Sequence, residues 1–360
     1  MGKKPLSFII IGSGWRAMFY VRIARQNPER FHLQYMLCRS EEKAQHLKEE
    51  GIPATVSEKA CEEAGPDFVV VAVSKPSIFQ VTRAWALKGV PVLCETPAGL
   101  TLEELHGLWE LRERYKARIQ VAEQYIRYPI IAAGLRALEQ GKIGEPYSIY
   151  LSVAHDYHGA SLIRHMLRTE PEPVVMRGKR YVFPVTETDS RYGTVRDGSV
   201  KDRVRTCVIM EFSSGKLAQY DFSGVQYHSL IRSRHLNVQG QLGEWNDTTV
   251  RFVGQGNLPA EERLLPWLDP RYRDLESKEI KEIGGVWSPA LKMEAAQDEY
   301  AIASMMADME EYLSEGKEIY PLKDALEDVY LWLLMEKAAA APGAQVKWEL
   351  QPWHGGGEGQ

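Results

Sequence analysis

The chain opens with an apolar run of strand length, a glycine turn and a stretch with helical spacing, "LSFIIIGSGWRAMFYVRIARQ" over residues 6–26. The same alternation continues. "FHLQYMLCRS" predicts a second strand, "EEKAQHLKEEG" a helix and "ATV" a short strand. "DFVVVAVS" is apolar on both faces, as a strand buried in a parallel sheet must be, and the helix "IFQVTRAWALKG" leads to another such strand in "VPVLCE". Strands alternating with helices predict βαβ units, so residues 1–123 are expected to form a doubly wound α/β domain on a parallel sheet.

The pattern then changes. "RTCVIMEFSSGKLAQYDFSG" alternates with period two about a "SSGK" turn, which predicts an antiparallel hairpin with one buried face. An α+β domain with a large, mostly antiparallel sheet is expected over 124–350, with a closing helix near 321–341 packing back on the first domain. The tail 351–360, ending "GGGEGQ", is expected to fray. The polar stretch 178–205, "GKRYVFPVTETDSRYGTVRDGSVKDRVR", reads as a long loop: a lid, a partner surface or a disordered segment.

Composition narrows the function classes. The 360 residues are 44% hydrophobic and 26% charged with net charge −5, so two domains are expected and no basic face for nucleic acid or an anionic membrane is implied. No apolar run nears the roughly 20 residues of a membrane span, and "FIII" breaks at Gly12 into the glycine motif, unlike a signal peptide. Cys38, Cys61, Cys94 and Cys207 lack zinc or disulfide spacing, which suits a reducing cytoplasm.

In "GSGWRA" the first two glycines, Gly12 and Gly14, suit a tight turn with close approach to a pyrophosphate. Ala17 takes the place of the third small residue of GxGxxG/A, with Trp15 and Arg16 between, so the five form a candidate dinucleotide site. Where NAD enzymes carry an acidic residue for the ribose, the second strand ends Cys38-Arg39-Ser40, which favours NADP over NAD because an arginine and a hydroxyl can bind a 2′-phosphate. A solvated loop arginine is the alternative. Ser74 and Pro76, and likewise Glu95, Thr96 and Pro97, close strands at the sheet's carboxyl edge, where ligands of open α/β sheets bind.

These features resemble the Gfo/Idh/MocA oxidoreductase family. "GSGWRA" is similar to its glycine turn, and "LCETPAGLTLEELHGLWELRERYKARIQVAEQYIRYP" to its Glu-Lys-Pro segment, following helix and Arg-x-x-Pro crossover. "EQGKIGEPYSIYLS" resembles the turn that opens the second sheet, "LNVQGQLGEW" its Gly-x-x-Gly hairpin, and "IYPLKDALEDVYLWLLMEKAAAAPGAQV" its closing helix. The resemblance implies a Rossmann domain, a substrate-bearing sheet domain, a homo-oligomer (dimer or tetramer), and a cytoplasmic NAD(P)-dependent oxidoreductase that moves hydride on a sugar, cyclitol or sugar derivative. It also puts Arg127 at the cofactor or substrate cleft, with a structural bridge between domains as the alternative.

Two departures bear on chemistry. The lysine that the family uses as a proton relay is replaced by Thr96, which can donate a hydrogen bond but does not titrate near neutral pH. "HDYHGASLIRHMLRTEPEPV" aligns with the family's Gly-x-His-x-x-Asp helix so that Ser161 and Arg164 replace the histidine and the aspartate. His155, Asp156, Tyr157, His158 and His165 stand close by. Tyr157 or His158 is therefore expected to carry the proton, with His165 one turn beyond Ser161, and Arg164 and Ser161 to bind substrate. Filling a polar helix start is the alternative for each. His155 and His158 lack a matched third metal ligand, so no metal is implied. His228 and His235 are candidates for the same cavity, and Trp245, Trp267 and Trp287 for faces against a sugar. Missing lysine leaves two other readings open: a cofactor-recycling enzyme that cleaves glycosides by oxidation and elimination, and a nucleotide-binding protein without a reaction.

Overall fold

The computed structural model describes residues 4–190, 192–264 and 297–355. Trp267 and Trp287 lie outside them. The described residues divide into two compact units, 4–129 with 297–326, and 130–264 with 327–354.

The first unit is the expected parallel sheet. Strands β1 (Leu6–Ile11), β2 (Phe31–Leu37), β3 (Ala54–Thr55), β4 (Phe68–Val71), β5 (Val92–Cys94) and β6 (Ile119–Val121) lie in the order β3-β2-β1-β4-β5-β6. That order is the doubly wound one, reversing direction between β1 and β4, and the crevice it opens is where dinucleotides bind. Helices α1 (Ala17–Gln26), α2 (Glu41–Glu49), α3 (Glu58–Glu63), α4 (Lys75–Leu87) and α5 (Leu102–Tyr115) supply the crossovers. The middle strands are apolar on both faces because both faces are covered: Phe8 and Ile10 on one face of β1 and Ile9 on the other, and likewise Phe68 and Val70 against Val69 in β4, are fully buried. Phe8 stands opposite Phe68, their rings stacked at 5.4 Å. Helix α8 (Gln297–Glu315), though it follows the second sheet in the chain, puts Ile302, Met305 and Met306 into this core.

The second unit is built on nine strands, β7 (Pro146–Ser152), β8 (Val174–Thr186), β11 (Val200–Phe212), β12 (Leu217–Phe222), β13 (His235–Gly240), β14 (Gly243–Asn246), β15 (Thr249–Val253), β16 (Pro259–Arg263) and β17 (Val346–Lys347). All neighbours are antiparallel except β7 and β12. Helices α6 (Pro129–Glu139), α7 (Asp156–Leu167) and α9 (Leu322–Ala340) complete it, α9 starting in the first unit. The period-two pattern is realised: Val208, Met210 and Phe212 are buried, while Ile209 and Glu211 between them are exposed. Gly243 faces Gly240 across the β13–β14 hairpin, and a Cβ on Gly243 would lie 2.1 Å from the Arg251 carbonyl, so the hairpin needs glycine there.

Two expectations are corrected. Residues 178–205 are not a loop but the outer parts of β8 and β11, paired from Val200 opposite Thr186 onward and joined by a small hairpin of β9 (Asp189–Ser190) and β10 (Gly193–Thr194). Charged residues on both sides of this ribbon hide its alternation, with Tyr181 and Phe183 on one side and Val182 on the other. Trp245 offers no face to a sugar: it is fully buried against Gly134, where a Cβ would lie 2.1 Å from its ring. No described helix is long and apolar enough to cross a membrane.

The chain's end is fastened to α9 by one carboxylate. Glu327 accepts hydrogen bonds from Trp348 Nε1 at 2.8 Å, Trp353 Nε1 at 3.0 Å and His354 Nε2 at 2.6 Å. Burial pushes its pKa up, but the bonds from His354 and Trp353 outweigh that and hold it below the usual value. A carboxyl with a depressed folded-state pKa stabilises above its unfolded pKa, and the contribution is lost as pH falls through the folded one. Glu327→Gln replaces an acceptor oxygen with a donor facing donors, so a loss of about 2–4 kcal/mol is expected, read as a lower Tm at pH 7. The difference from wild type should shrink as pH falls through the ordinary carboxylate range and on through the lower folded-state pKa, where the wild-type carboxyl is itself protonated. Equal Tm values at pH 7 would show that the clamp carries no stability.

Candidate cofactor and substrate sites

At the end of β1 the backbone turns through Gly12, whose φ is +113° and where a Cβ would lie 2.4 Å from the Ala72 carbonyl oxygen. No other residue fits. Gly14 differs: nothing stands within 4 Å of the place its Cβ would take, and it lines an open cavity of about 580 Å³. Ala17, fully buried, lets α1 pack on the sheet, and Trp15 and Arg16, which lead into that helix, line the cavity, as a helix start does where it receives a phosphate. The donor set and the open space over Gly14 fit a dinucleotide pyrophosphate.

The cavity's other wall carries cations. Arg39, exposed at the end of β2, reaches Ser74 Oγ at 3.5 Å. Ser40 caps α2 by accepting the Lys43 amide at 3.3 Å, and Lys43 lines the same cavity. Lys43 was missed in the sequence, although its place three residues after a capping serine puts it in the first turn. Trp15 is 54% exposed and edge-on to Phe19, with rings 4.6 Å apart. Pro76, exposed, lies in the first turn of α4.

Glu95 follows β5 and is buried. Tyr20 donates to its Oε1 at 2.6 Å, and Arg16 Nε lies 3.8 Å from its Oε2. Burial raises the Glu95 pKa, and neither Arg16 nor the Tyr20 bond fully offsets that. Arg16 thus lies between the glycine turn and this carboxylate. Thr96 beside it is half-buried, in a cis peptide with the buried Pro97. Arg127 is engaged inside the first unit, donating to Asp308 at 2.5 Å, Ser304 at 2.8 Å and the Ile319 carbonyl at 3.3 Å.

In the second unit the start of α7 gathers the proton-handling candidates. The His155 amide donates to the Tyr227 hydroxyl at 3.0 Å, and His155 Nδ1 lies 2.7 Å from the same oxygen. Asp156 takes a positive φ of +51°, rare for a side-chain-bearing residue, and its amide donates to the Tyr220 hydroxyl at 3.1 Å. Two tyrosines therefore consume consecutive amides at this helix end. Gly159 is required because the Tyr220 ring would lie 2.5 Å from its Cβ. Tyr157 and His158 are each 3% exposed, with rings 4.4 Å apart, and Tyr157 meets Trp332 edge-on at 5.7 Å. His155 is half-buried, 5.0 Å from His158 ring to ring.

Farther along α7 the arrangement is more structural. Arg164, 7% exposed, donates to Asp328 of α9 at 2.7 Å. Ser161 is fully buried, and its carbonyl lies 2.8 Å from His165 Nδ1. His235 does not join the cluster: it pairs with Asp247 at 3.1 Å on the sheet face opposite the buried Leu236 and Val238. His228 ends the short 3-10 turn that carries Tyr227. Tyr227 and Asp328 went unread in the sequence because each lies more than 70 residues from its partner, beyond the reach of any local spacing.

Comparison with known proteins agrees with this geometry. Residues 6–123 match the model of the Gfo/Idh/MocA oxidoreductase family, with an NAD-binding Rossmann fold. The D-apiose dehydrogenase of Paraburkholderia graminis is 35% identical over 81 residues, 22% of each chain, so the aligned stretch spans about a fifth of that relative's length. An oxidoreductase from Agrobacterium radiobacter, solved with NAD+, L-tartaric acid and magnesium, superposes with TM-score 0.68 at 16% identity over 95% of this chain and 98% of that one. The WlbA dehydrogenase of Chromobacterium violaceum, solved with NADH and UDP-GlcNAcA, gives 0.67 at 14% identity over 98% of each. The two structures share the fold. The family match covers residues 6–123, about the first third of the chain, and over that stretch the chain is similar to the family's NAD-binding domain.

The two glycines of the turn should separate on substitution. Gly14→Val fills the open space over the turn, so cofactor binding should fall at least tenfold by isothermal titration while Tm stays within about 2 °C. Gly12→Ala meets backbone at a positive φ and should lower Tm outright. Unchanged cofactor affinity in Gly14→Val would place the dinucleotide elsewhere.

Proposed function

We propose that this protein is an NADP-preferring oxidoreductase that interconverts a carbinol and a carbonyl on a sugar, cyclitol or sugar derivative. The observation that carries the reading is the cavity over Gly14, with Arg39, Ser40 and Lys43 along one wall. A guanidinium, a hydroxyl and an ammonium suit a 2′-phosphate, and no carboxylate lines that cavity to favour a free ribose hydroxyl. NAD is the other cofactor of this reading, and it is the one named for the Agrobacterium neighbour. The sugar-like substrate is supported by the D-apiose dehydrogenase match and by the nucleotide sugar bound to WlbA.

The bound nicotinamide supplies the hydride acceptor or donor, and the chain supplies position and a proton path. Thr96 can donate a hydrogen bond to the reacting oxygen but holds no titrating proton. Of the groups at the start of α7, Tyr157 and His158 are buried, while His155 is half-buried with one ring nitrogen held by Tyr227. The proton role is therefore assigned to His155, with Tyr157 and His158 as the wall behind it. The Tyr227 hydroxyl can both donate and accept, so it serves either protonation state of the ring and either direction of reaction. A homo-oligomer belongs to the same reading, supported by Tyr181, Val182, Phe183 and Val204 exposed along the β8–β11 ribbon.

Cofactor titration of wild type and Arg39→Ala tests the assignment. NADP should bind at least tenfold more tightly than NAD, and Arg39→Ala should erase that preference while changing NAD affinity less than threefold. Equal affinities in the wild type would overturn the NADP preference. Absorbance at 340 nm against sugars and cyclitols tests the reaction: net reduced cofactor supports a dehydrogenase. Glycoside cleavage without net reduction would replace it with the elimination route, and tight binding without turnover on any of them would leave a nucleotide-binding protein.

A further inference from the structure

The segment after Tyr227 brings Arg234 onto the Tyr227 ring at the candidate substrate site, with Arg232 two residues before it in the same segment. The 3-10 turn Gly224–Tyr227 is fixed by Gln226, whose Oε1 accepts the Ser223 amide at 3.0 Å. Its Nε2 donates to Ser152 Oγ at 3.0 Å, at the end of β7, and to the Ser233 carbonyl at 2.8 Å. One buried amide thus ties the turn, the strand end that leads to His155, and the backbone between Arg232 and Arg234 into one rigid piece.

Both arginines lack the counter-charge that a structural role would give them. Arg234 lies over the Tyr227 ring, its Cζ 5.7 Å from the centroid. Arg232 is half-buried, and its Nη1 is sealed from water with no hydrogen-bond partner. Among the described residues neither has a carboxylate partner. Arg164, the arginine that the sequence pointed to for substrate binding, is already satisfied by Asp328. A charged N–H left buried and unbonded is costly, and an anion is the ligand that removes the cost.

We propose that Arg232 and Arg234 form an anion subsite beside the His155–Tyr227 pair, and that the substrate is a sugar derivative carrying a carboxylate or a phosphate. The substrate class rests on the oxidoreductase reading above; the subsite itself does not. A guanidinium presents paired donors that match the two oxygens of either anion. Cation–π contact with Tyr227 holds the Arg234 group in place while leaving its N–H donors to a ligand. No covalent step involves either arginine, so neither is a catalytic residue.

The probes are inorganic phosphate and acetate, titrated into the full-length protein at constant ionic strength while the arginine Nε–H resonances are followed by NMR. Saturable shifts at Arg232 and Arg234 are expected, and the larger response identifies phosphate or carboxylate as the preferred group. Arg232→Gln and Arg234→Gln should each weaken binding about 10- to 100-fold, and Arg234→Lys should keep part of it. NADP affinity should stay within twofold in all three, which also shows that they fold. Absence of a saturable shift with both anions, or equal affinity in the Gln variants, would overturn the subsite. Failure of NADP and NAD to bind would sink the oxidoreductase reading while leaving the subsite to be judged by its own titration.

Discussion

Everything in the first unit is arranged around the close passage of Gly12 over the end of β4, where only the absence of a side chain lets the backbone turn. Because β1 is central in the sheet and β4 beside it, that turn brings the first helix to the crevice where the strand order reverses. The apolar runs of β1 and β4 make this position rigid, since both strands are covered on both faces. Gly14 then leaves the space in front of the helix open. The two glycines divide the work: one builds the turn, the other keeps room for what the turn holds.

Thr96 stands where the family that the sequence resembles has a lysine, and the strand end before it is still built as a buried site. Glu95 is buried under the glycine turn, bonded by Tyr20 and approached by Arg16, and these partners belong to the cofactor domain itself. A carboxylate so placed keeps the shape of the strand end whether or not a proton relay follows it. Chemistry can therefore move to another element without the cofactor site changing. In the second unit, the positive φ of Asp156 and the two tyrosine hydroxyls on consecutive amides at the start of α7 frame the place where the proposed proton carrier stands.

What was legible in the sequence follows the range of the forces involved. The parallel sheet could be read because β1, β4 and β5 are continuous apolar runs, and the β11–β12 hairpin because its buried face alternates about Gly215. The β8–β11 ribbon was misread as a loop because it is exposed on both sides, so burial never imposed an alternation on Lys179, Arg180 and their neighbours. The candidate positions Gly12 and Arg39, which line one cavity, could be named from strand ends. Tyr227, Asp328 and the tie from Gln226 to Ser233 depend on tertiary pairing, and no periodicity announces them. Arg164 could be named as an arginine of this helix, but its pairing with Asp328, 164 residues away, could not.

The central claim is that the proton leaves through His155 rather than through the residue after Glu95. Comparing kcat/KM against pH for His155→Gln and Thr96→Val, with cofactor saturating, tests it most directly. Loss of about 100-fold or more in His155→Gln, with the ionisation near neutral pH gone from its profile, is the expected result, alongside at most a tenfold loss and an unshifted profile in Thr96→Val. A His155→Gln enzyme within threefold of wild type and with the same pH profile would contradict it.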